Sequence, residues 1–346
     1  MKVVGSEQLK KISIRIFSQA GASIEEAESV SESLVEANLL GVDSHGVLRI
    51  PEYVRRIREG EIKLGAQCAI IKETTTTALV DGGFGFGQVA AKKATCIAIE
   101  KARSNNVSVV GLIRSNHIGR LGEYTSMIAE QRMIGISFCN TAPKGGIVAP
   151  FGGATRRLGT HPFSVAFPSN SFPFLLDYAT SVVAEGKLRQ KYYAKEKIPE
   201  GWIVDKDGRP SVDPADFYER KGALLPFGGY KGYGLSLVID ALGGILTGAH
   251  FVSHNEFIGG NNPLIIAINI SAFRPLEEFK AEVDEYFRVL KSTPPAEGFK
   301  EVMVPGEIEN RTKEKRIKEG IPINDEVWLR IEGTANDLGL DLKTLL

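Results

Sequence analysis

The chain has 346 residues, enough to bury a large core and to divide into more than one lobe. Hydrophobic residues make up 43% and charged residues 24%, and Lys+Arg and Asp+Glu both number 42. The resulting zero net charge excludes the basic excess expected of a nucleic-acid-binding protein or a polybasic membrane surface.

The start of the chain, MKVVGSEQLKKISIRIF, has no apolar signal segment, and no later apolar run is long enough to span a bilayer. Three cysteines, Cys68, Cys96 and Cys139, are far apart and odd in number. They fit neither a disulfide framework nor a zinc site, so a cytoplasmic protein without a bound metal is expected.

Residues 6–20 read as an amphipathic helix with Leu9, Ile12, Ile16, Phe17 and Ala20 on its apolar face, ended by Gly21. Ser23 and Glu26 form a capping-box pattern, and Ala27, Val30, Leu34 and Ala37 continue as a second stripe up to Gly41. The stretch LLGVDSHGVLRIPEYVRR follows, and a third short helix lies within residues 47–59.

A hydroxyl, an imidazole and a guanidinium (Ser44, His45, Arg49) thus lie within six residues at a junction between helices. An imidazole exchanges protons near neutral pH, a neighbouring hydroxyl can orient it or relay the proton, and a guanidinium can grip a carboxylate with two hydrogen bonds. If the segment after Gly46 is helical, His45, Arg49 and Tyr53 share one face; Pro51 would kink that helix or mark a later start. The plainer alternative makes Ser44 a helix cap and His45 a partly exposed loop residue.

After Gly65 the texture changes. AIIKETTTTALVDG reads as strand, turn, strand, GGFGFGQ follows, and residues 89–104 read as a helix. Gly83, Gly85 and Gly87 are spaced G-x-G-x-G rather than G-x-G-x-x-G, and no acid stands suitably about 20 residues on, so a dinucleotide-binding Rossmann unit is rejected. A flexible turn with close backbone packing is expected instead.

Residues 107–113 read as a buried strand running into Arg114-Ser-Asn-His117, with a helix from about Gly119. His117 would then lie beside a helix N-terminus, where an anion is favoured, or would simply cap that helix. Further strands are expected at 133–139, after the Gly-Thr160-His161-Pro turn, at 174–178 and at 263–270. Asp177 at a strand end could accept from ribose hydroxyls or an imidazole, or cap the helix that follows through Lys191.

IPEGWIVDKDGRPSVDPADF reads as a turn-rich surface excursion. GGYKGYG then offers a lysine, Lys231, among glycines at a helix start; it is not a phosphate-binding P-loop, yet it suits a phosphate or carboxylate as well as it suits a tight turn with a solvated lysine. Residues 276–291 and 324–346 read as helices with VPGEIENRTKEKR between them. The order suggests an α/β protein in which a strand-rich lobe is inserted into a helical lobe made from both chain termini. The expected divisions are 1–65, a helical region carrying the Ser44–His45 turn, 66–275, the strand-rich domain, and 276–346, helices packing back on the amino-terminal region.

Six segments, LLGVDSHGVLRIPEYV, RSNHIGRLGEY, PFGGATRRLGTHP, LDYATSVVAEGK, LPFGGYKGYGLSL and VPGEIENR, occur in the order seen in the type-2 malate/L-lactate dehydrogenases, and together they resemble that family nearly end to end. The resemblance implies a largely antiparallel, non-Rossmann sheet that binds NAD or NADP, and a homodimer or higher homo-oligomer. It implies hydride transfer between nicotinamide C4 and C2 of a small 2-hydroxy/2-oxo acid, with malate/oxaloacetate the default. L-lactate, sulfolactate and cyclic-imine or diketo-acid reduction are the alternatives within the family. A non-catalytic metabolite-binding protein is the alternative outside it, and the intact Ser44, His45 and Arg49 argue against that.

By the same resemblance, His45 is the proton donor and acceptor with Ser44 in the relay, and Arg49, Tyr53 and Thr160 contact substrate. His117, Ile118, Gly119, Arg120, Leu121, Asn140, Asp177, Tyr178, Ala179, Lys231, and Pro305, Gly306, Glu307, Ile308, Glu309 and Asn310 match cofactor contacts. Some members use the histidine at the position of His117 as the acid/base, so two histidines compete and His45 is favoured. The sequence departs from the family in having His161 where Asn is common and Ile118-Gly-Arg120 in the cofactor turn, which bears on substrate and cofactor preference rather than reaction class.

Overall fold

A computed structural model describes residues 1–342. The amino end contributes β1 (Lys2–Val4), α1 (Ser6–Gln19) and α2 (Ile24–Leu39). The capping box forms as expected: Glu26 N–H donates to Ser23 Oγ at 3.2 Å and Ser23 N–H to Glu26 Oε2 at 3.1 Å. Two single 3₁₀ turns, Asp43–His45 and Val47–Arg49, lead into α3 (Ile50–Arg58), with Pro51 at its start. The proline therefore marks a later helix start, and His45, Arg49 and Tyr53 lie on three successive elements rather than on one helical face.

Leu9, Ile12, Ile16 and Phe17 of α1 bury against Val30 and Leu34 of α2 and Ile50 and Tyr53 of α3. The same core takes in Trp328, Ile331 and Ala335 from the carboxyl end, so both chain termini build one helical lobe. It is closed by a two-stranded ribbon that the sequence reading did not anticipate, in which Lys2, Val3 and Val4 pair antiparallel with Ile323, Pro322 and Ile321.

The inserted lobe is a seven-stranded sheet. In chain order its first members are β2 (Ala69–Glu73), β3 (Thr77–Asp81), α4 (Gly87–Asn105), β4 (Val107–Ile113), α5 (Gly122–Glu130) and β5 (Met133–Thr141). β6 (Pro162–Phe167) and β7 (Phe174–Ala179) follow. Then come α6 (Glu185–Tyr193), β8 (Ile203–Val204), β9 (Pro210–Ser211), α7 (Pro214–Tyr218), β10 (Ala223–Leu224), α8 (Tyr230–Ile239) and the last sheet strand, β11 (Asn261–Asn269). The sheet order is β2-β3-β4-β11-β5-β6-β7, and every neighbouring pair is antiparallel except β3–β4. That parallel pair is joined by α4, whose Ala90, Ala91, Ala94 and Ala98 are small enough to seat the helix on Val110, Leu112 and Ile265.

The glycines before α4 serve packing, as expected. A Cβ on Gly87 would overlap the His117 backbone, so the missing side chain lets the helix start press against the loop that carries His117. α5 begins at Gly122, three residues later than anticipated, so His117 caps no helix.

The surface excursion after α6 is a small three-stranded sheet, β10-β8-β9, over its own cluster of Val148, Leu158, Ile203, Phe217 and Leu224. α8 runs on into one π-helical segment, Asp240–Ile245. Beyond the sheet lie α9 (Leu276–Lys291), α10 (Glu307–Glu319), β12 (Ile321–Ile323) and α11 (Asp325–Asp337). α9 does not return to the amino-terminal helices: Val283 and Phe287 pack on Phe172 and Phe174 at the β7 end of the sheet. α10 is a helix where the sequence pattern implies only a connection, since a segment polar on nearly every face shows no apolar stripe. The last four residues of the helix expected over 324–346 lie outside the described residues.

Candidate active site

The turn that carries Ser44 and His45 is fixed from two sides. Asn38 of α2 accepts the Val47 N–H on Oδ1 at 2.8 Å and donates to Asp43 Oδ1 at 2.6 Å. Arg316 of α10 forks onto Asp43, with Nη1 to Oδ1 at 2.6 Å and Nη2 to Oδ2 at 3.0 Å, and also donates to the Asn38 carbonyl. A bidentate guanidinium–carboxylate pair is directional, so it sets the orientation of the turn as well as its place.

On that turn His45 Nδ1 lies 2.9 Å from Ser44 Oγ. Arg49 Nε donates to the Ser44 carbonyl at 2.9 Å and Nη1 to Glu52 Oε2 at 2.7 Å, leaving Nη2 without a partner among the described residues. Ser44 caps no helix, which removes the plainer reading of that residue.

His117 comes from the loop after β4, and its ring stacks on that of His45 with centroids 5.5 Å apart and planes 20° from parallel. Its Nδ1 lies 2.6 Å from Tyr53 Oη, and Gln88 Nε2 donates to the same oxygen at 2.9 Å. With Gln88 donating, the tyrosine hydroxyl is free to donate to His117 Nδ1, which puts the proton of the neutral ring on Nε2. Tyr53, expected among the substrate contacts, is 1% exposed, and its hydroxyl is hydrogen-bonded to His117 and Gln88. Gln88, which the sequence reading missed, carried no signal beyond its place on an alanine-rich helix.

Both imidazoles are held neutral. Burial, then Arg49, then Arg120 lower the pKa of His45 to about 3. Burial, Arg49, His45 and Arg56 lower that of His117 well below its ordinary value. Desolvation and neighbouring cations act in the same direction on a base.

Asp177 on β7 accepts from the Gly122 N–H at 2.7 Å and lies 4.0 Å from Arg120 Nη1. It caps no helix, since α6 starts eight residues later. Burial raises its pKa, against the opposing pull of Arg120 and the Gly122 amide, while Glu309 adds to the rise. That influence brings the start of α10 beside β7, and the Leu175 N–H to the Pro305 carbonyl, at 3.3 Å, ties the two directly.

The remaining expected contacts divide by accessibility. Tyr178 and Ala179 on β7, Gly119, Thr160, Glu309 and Asn310 are partly exposed, and Pro305, Ile308 and Lys231 are exposed, Lys231 in the first turn of α8. Ile118 and Leu121 instead turn into the sheet core. Gly306 is buried at the N-cap of α10, and Glu307 is buried and paired with Lys291 and Arg311.

Asn140 is fully buried. It donates to Asp240 Oδ1 at 2.6 Å and accepts from Asn262 at 3.1 Å, so its amide is committed inside the protein. His161, also fully buried, lies 3.2 Å from the same Asp240 carboxylate through Nε2 and accepts the Thr141 N–H at 3.3 Å through Nδ1. These two residues brace the wall beside Thr160.

The donor set fits a nicotinamide dinucleotide. A carboxylate (Asp177) is available for ribose hydroxyls, and an exposed lysine at the N-terminus of a ten-residue helix (Lys231 on α8) is available for phosphate. Partly exposed His250 and His254 and exposed Glu256 form the one grouping of ligand type among the described residues.

Comparison with known proteins agrees with the geometry. The family model described as Malate/L-lactate dehydrogenase matches residues 4–332. The L-sulfolactate dehydrogenase of Methanocaldococcus jannaschii is 41% identical, covering 99% of this chain and 98% of its own length. The malate dehydrogenase of Pyrococcus abyssi is 40% identical, covering 97% of this chain and 95% of its own. The crystal structure of the malate dehydrogenase of Entamoeba histolytica superimposes with a TM-score of 0.93 at 31% identity, covering 99% of both chains. A core built from both chain ends, a largely antiparallel sheet and a Ser44–His45–Arg49 turn thus accompany full-length similarity, and the chain belongs to the malate/L-lactate dehydrogenase family of 2-hydroxyacid dehydrogenases.

Proposed function

We propose that this chain catalyses the reversible, NAD- or NADP-dependent interconversion of a small 2-hydroxy acid and its 2-oxo acid, with malate/oxaloacetate the favoured pair and sulfolactate or L-lactate the alternatives. The observation that carries the reading is the turn on which Ser44 Oγ meets His45 Nδ1 while Arg49, hydrogen-bonded to the Ser44 carbonyl, keeps Nη2 for an incoming carboxylate.

When bound, the nicotinamide supplies or accepts the hydride exchanged with C2 of the acid. Arg49 grips the C1 carboxylate and so fixes C2; positioning of this kind can be worth roughly 7–11 kcal/mol at its limit. In oxidation, neutral His45 accepts the hydroxyl proton at Nε2, with Nδ1–H donating to Ser44 Oγ. In reduction, the protonated ring returns that proton and stabilises the oxygen as it becomes negative. Tyr53 holds His117 at Nδ1 and leaves Nε2–H unused by that bond, which suits a donor to the same oxygen rather than the proton acceptor.

Asp177 would hold ribose hydroxyls and Lys231 a phosphate of the dinucleotide. Gly119, Tyr178, Ala179, Pro305, Ile308, Glu309 and Asn310 would line its path. Ile118, Leu121, Asn140, Gly306 and Glu307 would act from behind, through backbone or packing.

The chain would work as a homodimer. α8 and its π-helical continuation set Gly243 and Gly244 against Asn140 and the His250 backbone on one side, yet expose Leu237, Val238, Ile245 and Leu246 on the other. Four exposed apolar side chains on an element this well anchored support pairing with a second copy. Unpaired cysteines support a reducing compartment such as the cytoplasm. No helix among the described residues is long and apolar enough to cross a membrane.

The test is to follow nicotinamide absorbance with oxaloacetate, sulfopyruvate, pyruvate and a cyclic imine carboxylate in parallel. Turnover of at least one 2-oxo acid supports the reading. Turnover of the imine alone, or of none of them, contradicts it.

A further inference from the structure

A cation taken out of water and left without hydrogen bonds is costly, so a group of that kind inside a site implies a ligand that completes it. Arg120 is 6% exposed. Its guanidinium donates no hydrogen bond to any described residue, and Nη1 is buried without a partner. The nearest acid, Asp177, is 4.0 Å away through Oδ2, and that oxygen already accepts the Gly122 N–H at 2.7 Å. The corner is also kept clear: a Cβ on Gly122 would overlap Nη1 and lie 2.7 Å from Asp177 Oδ2.

Arg120 stands on the loop of His117, three residues on, and the His117 ring stacks on that of His45. One guanidinium suffices for the single carboxylate of a monoacid such as lactate. A second, desolvated one beside the same pair of rings is matched only by a second negative group. We propose that Arg120 binds an oxyanion carried on C3 of the substrate, a carboxylate or a sulfonate, and so selects dianionic 2-oxo acids over pyruvate. This rests on the 2-hydroxyacid dehydrogenase reading above and names the residue that would set its substrate class. A phosphate of the bound dinucleotide carries the same oxyanion chemistry, and the experiment separates the two sources.

The experiment is steady-state kinetics of the full chain, Arg120→Met and Arg120→Lys with oxaloacetate, sulfopyruvate and pyruvate, alongside fluorescence titration of each protein with the reduced coenzyme. Expected in Arg120→Met is a fall of about 100-fold in kcat/KM for both dianions, a much smaller fall for pyruvate, so that the oxaloacetate-to-pyruvate ratio drops, and unaltered coenzyme affinity. Arg120→Lys, which keeps the charge but not the planar fork, is expected to fall between the two and keeps the question answerable if Arg120→Met does not fold. Equal losses on all three acids would overturn the proposal. So would weakened coenzyme binding with an unchanged oxaloacetate-to-pyruvate ratio, which would assign Arg120 to a dinucleotide phosphate. A wild-type protein that reduces none of the acids would instead sink the underlying reading, and the proposal with it.

Discussion

The imidazoles of His45 and His117 lie face to face, 5.5 Å between centroids, although 72 positions separate them in the chain. Each is anchored through Nδ1 by a hydroxyl, His45 by Ser44 and His117 by Tyr53, so each has Nε2 left for a substrate. The two anchors differ in consequence. The serine hydroxyl can donate or accept, so His45 can exist in either tautomer, whereas the Gln88–Tyr53 chain favours a single tautomer of His117. A proton carrier must change state, and the flexible anchor belongs to His45.

The low proton affinity of His45 in the free protein predicts that proton uptake accompanies substrate binding. A 2-oxo acid analogue bound against Arg49 cancels part of the field that lowers the ring's pKa to about 3, so that pKa rises. Titration calorimetry with oxalate near pH 6, in two buffers of different ionisation enthalpy, should report net uptake of protons. Binding with no proton change would contradict this. The same shift affects stability. Between the ordinary value of 6.5 and about 3 the unfolded chain binds protons that the folded ring refuses, so stability falls as pH drops through that window. A His45→Gln protein should show a shallower fall in Tm over the same range.

Tyr53→Phe removes the hydroxyl between Gln88 and His117 and leaves the buried Gln88 amide and the His117 ring nitrogen unmatched. Denaturant unfolding should show a loss of about 1–3 kcal/mol. Catalysis should weaken through His117 orientation, with coenzyme affinity unaltered. An unchanged unfolding midpoint would mean that the hydroxyl bridge contributes nothing.

Arg49→Lys loses both the planar fork and the Nε bond to the Ser44 carbonyl. The KM for a 2-oxo acid should rise by about 100-fold, and kcat should fall as well because the Ser44–His45 turn is released. A rise in KM with kcat untouched would show that Arg49 grips substrate without steadying the turn.

Leu246→Glu puts a charge at the far end of the exposed apolar face, just after the π-helical segment. Sedimentation should show the wild-type chain as a dimer and the variant shifted toward monomer at micromolar concentration. A variant that sediments as the wild type does would remove this face from the assembly.

Much of the fold was legible because its signals are local. The 3.6-residue stripe of Leu9, Ile12 and Ile16 and the Ser23–Glu26 box define α1 and α2, and the β-branched runs define β3, β4 and β11. α10 was not legible, because a polar helix held by Asp43, Glu301 and other ion pairs shows no apolar period. The β1–β12 ribbon was hidden for another reason: three-residue strands from opposite ends carry no pairing signal. The site divides in the same way. Ser44, His45 and Arg49 are neighbours in sequence and could be read together. Tyr53 and His117, 64 positions apart, and Asp43 and Arg316, 273 apart, meet only through the fold.

The most direct test compares His45→Gln with His117→Gln in turnover of the acid the wild-type chain uses best, with coenzyme binding followed in parallel. His45→Gln should lose at least about 100-fold, and up to about 10,000-fold, in kcat with unchanged coenzyme affinity, and His117→Gln should lose less. Near wild-type turnover in His45→Gln, with the loss falling on His117→Gln instead, would contradict the assignment of the proton to His45.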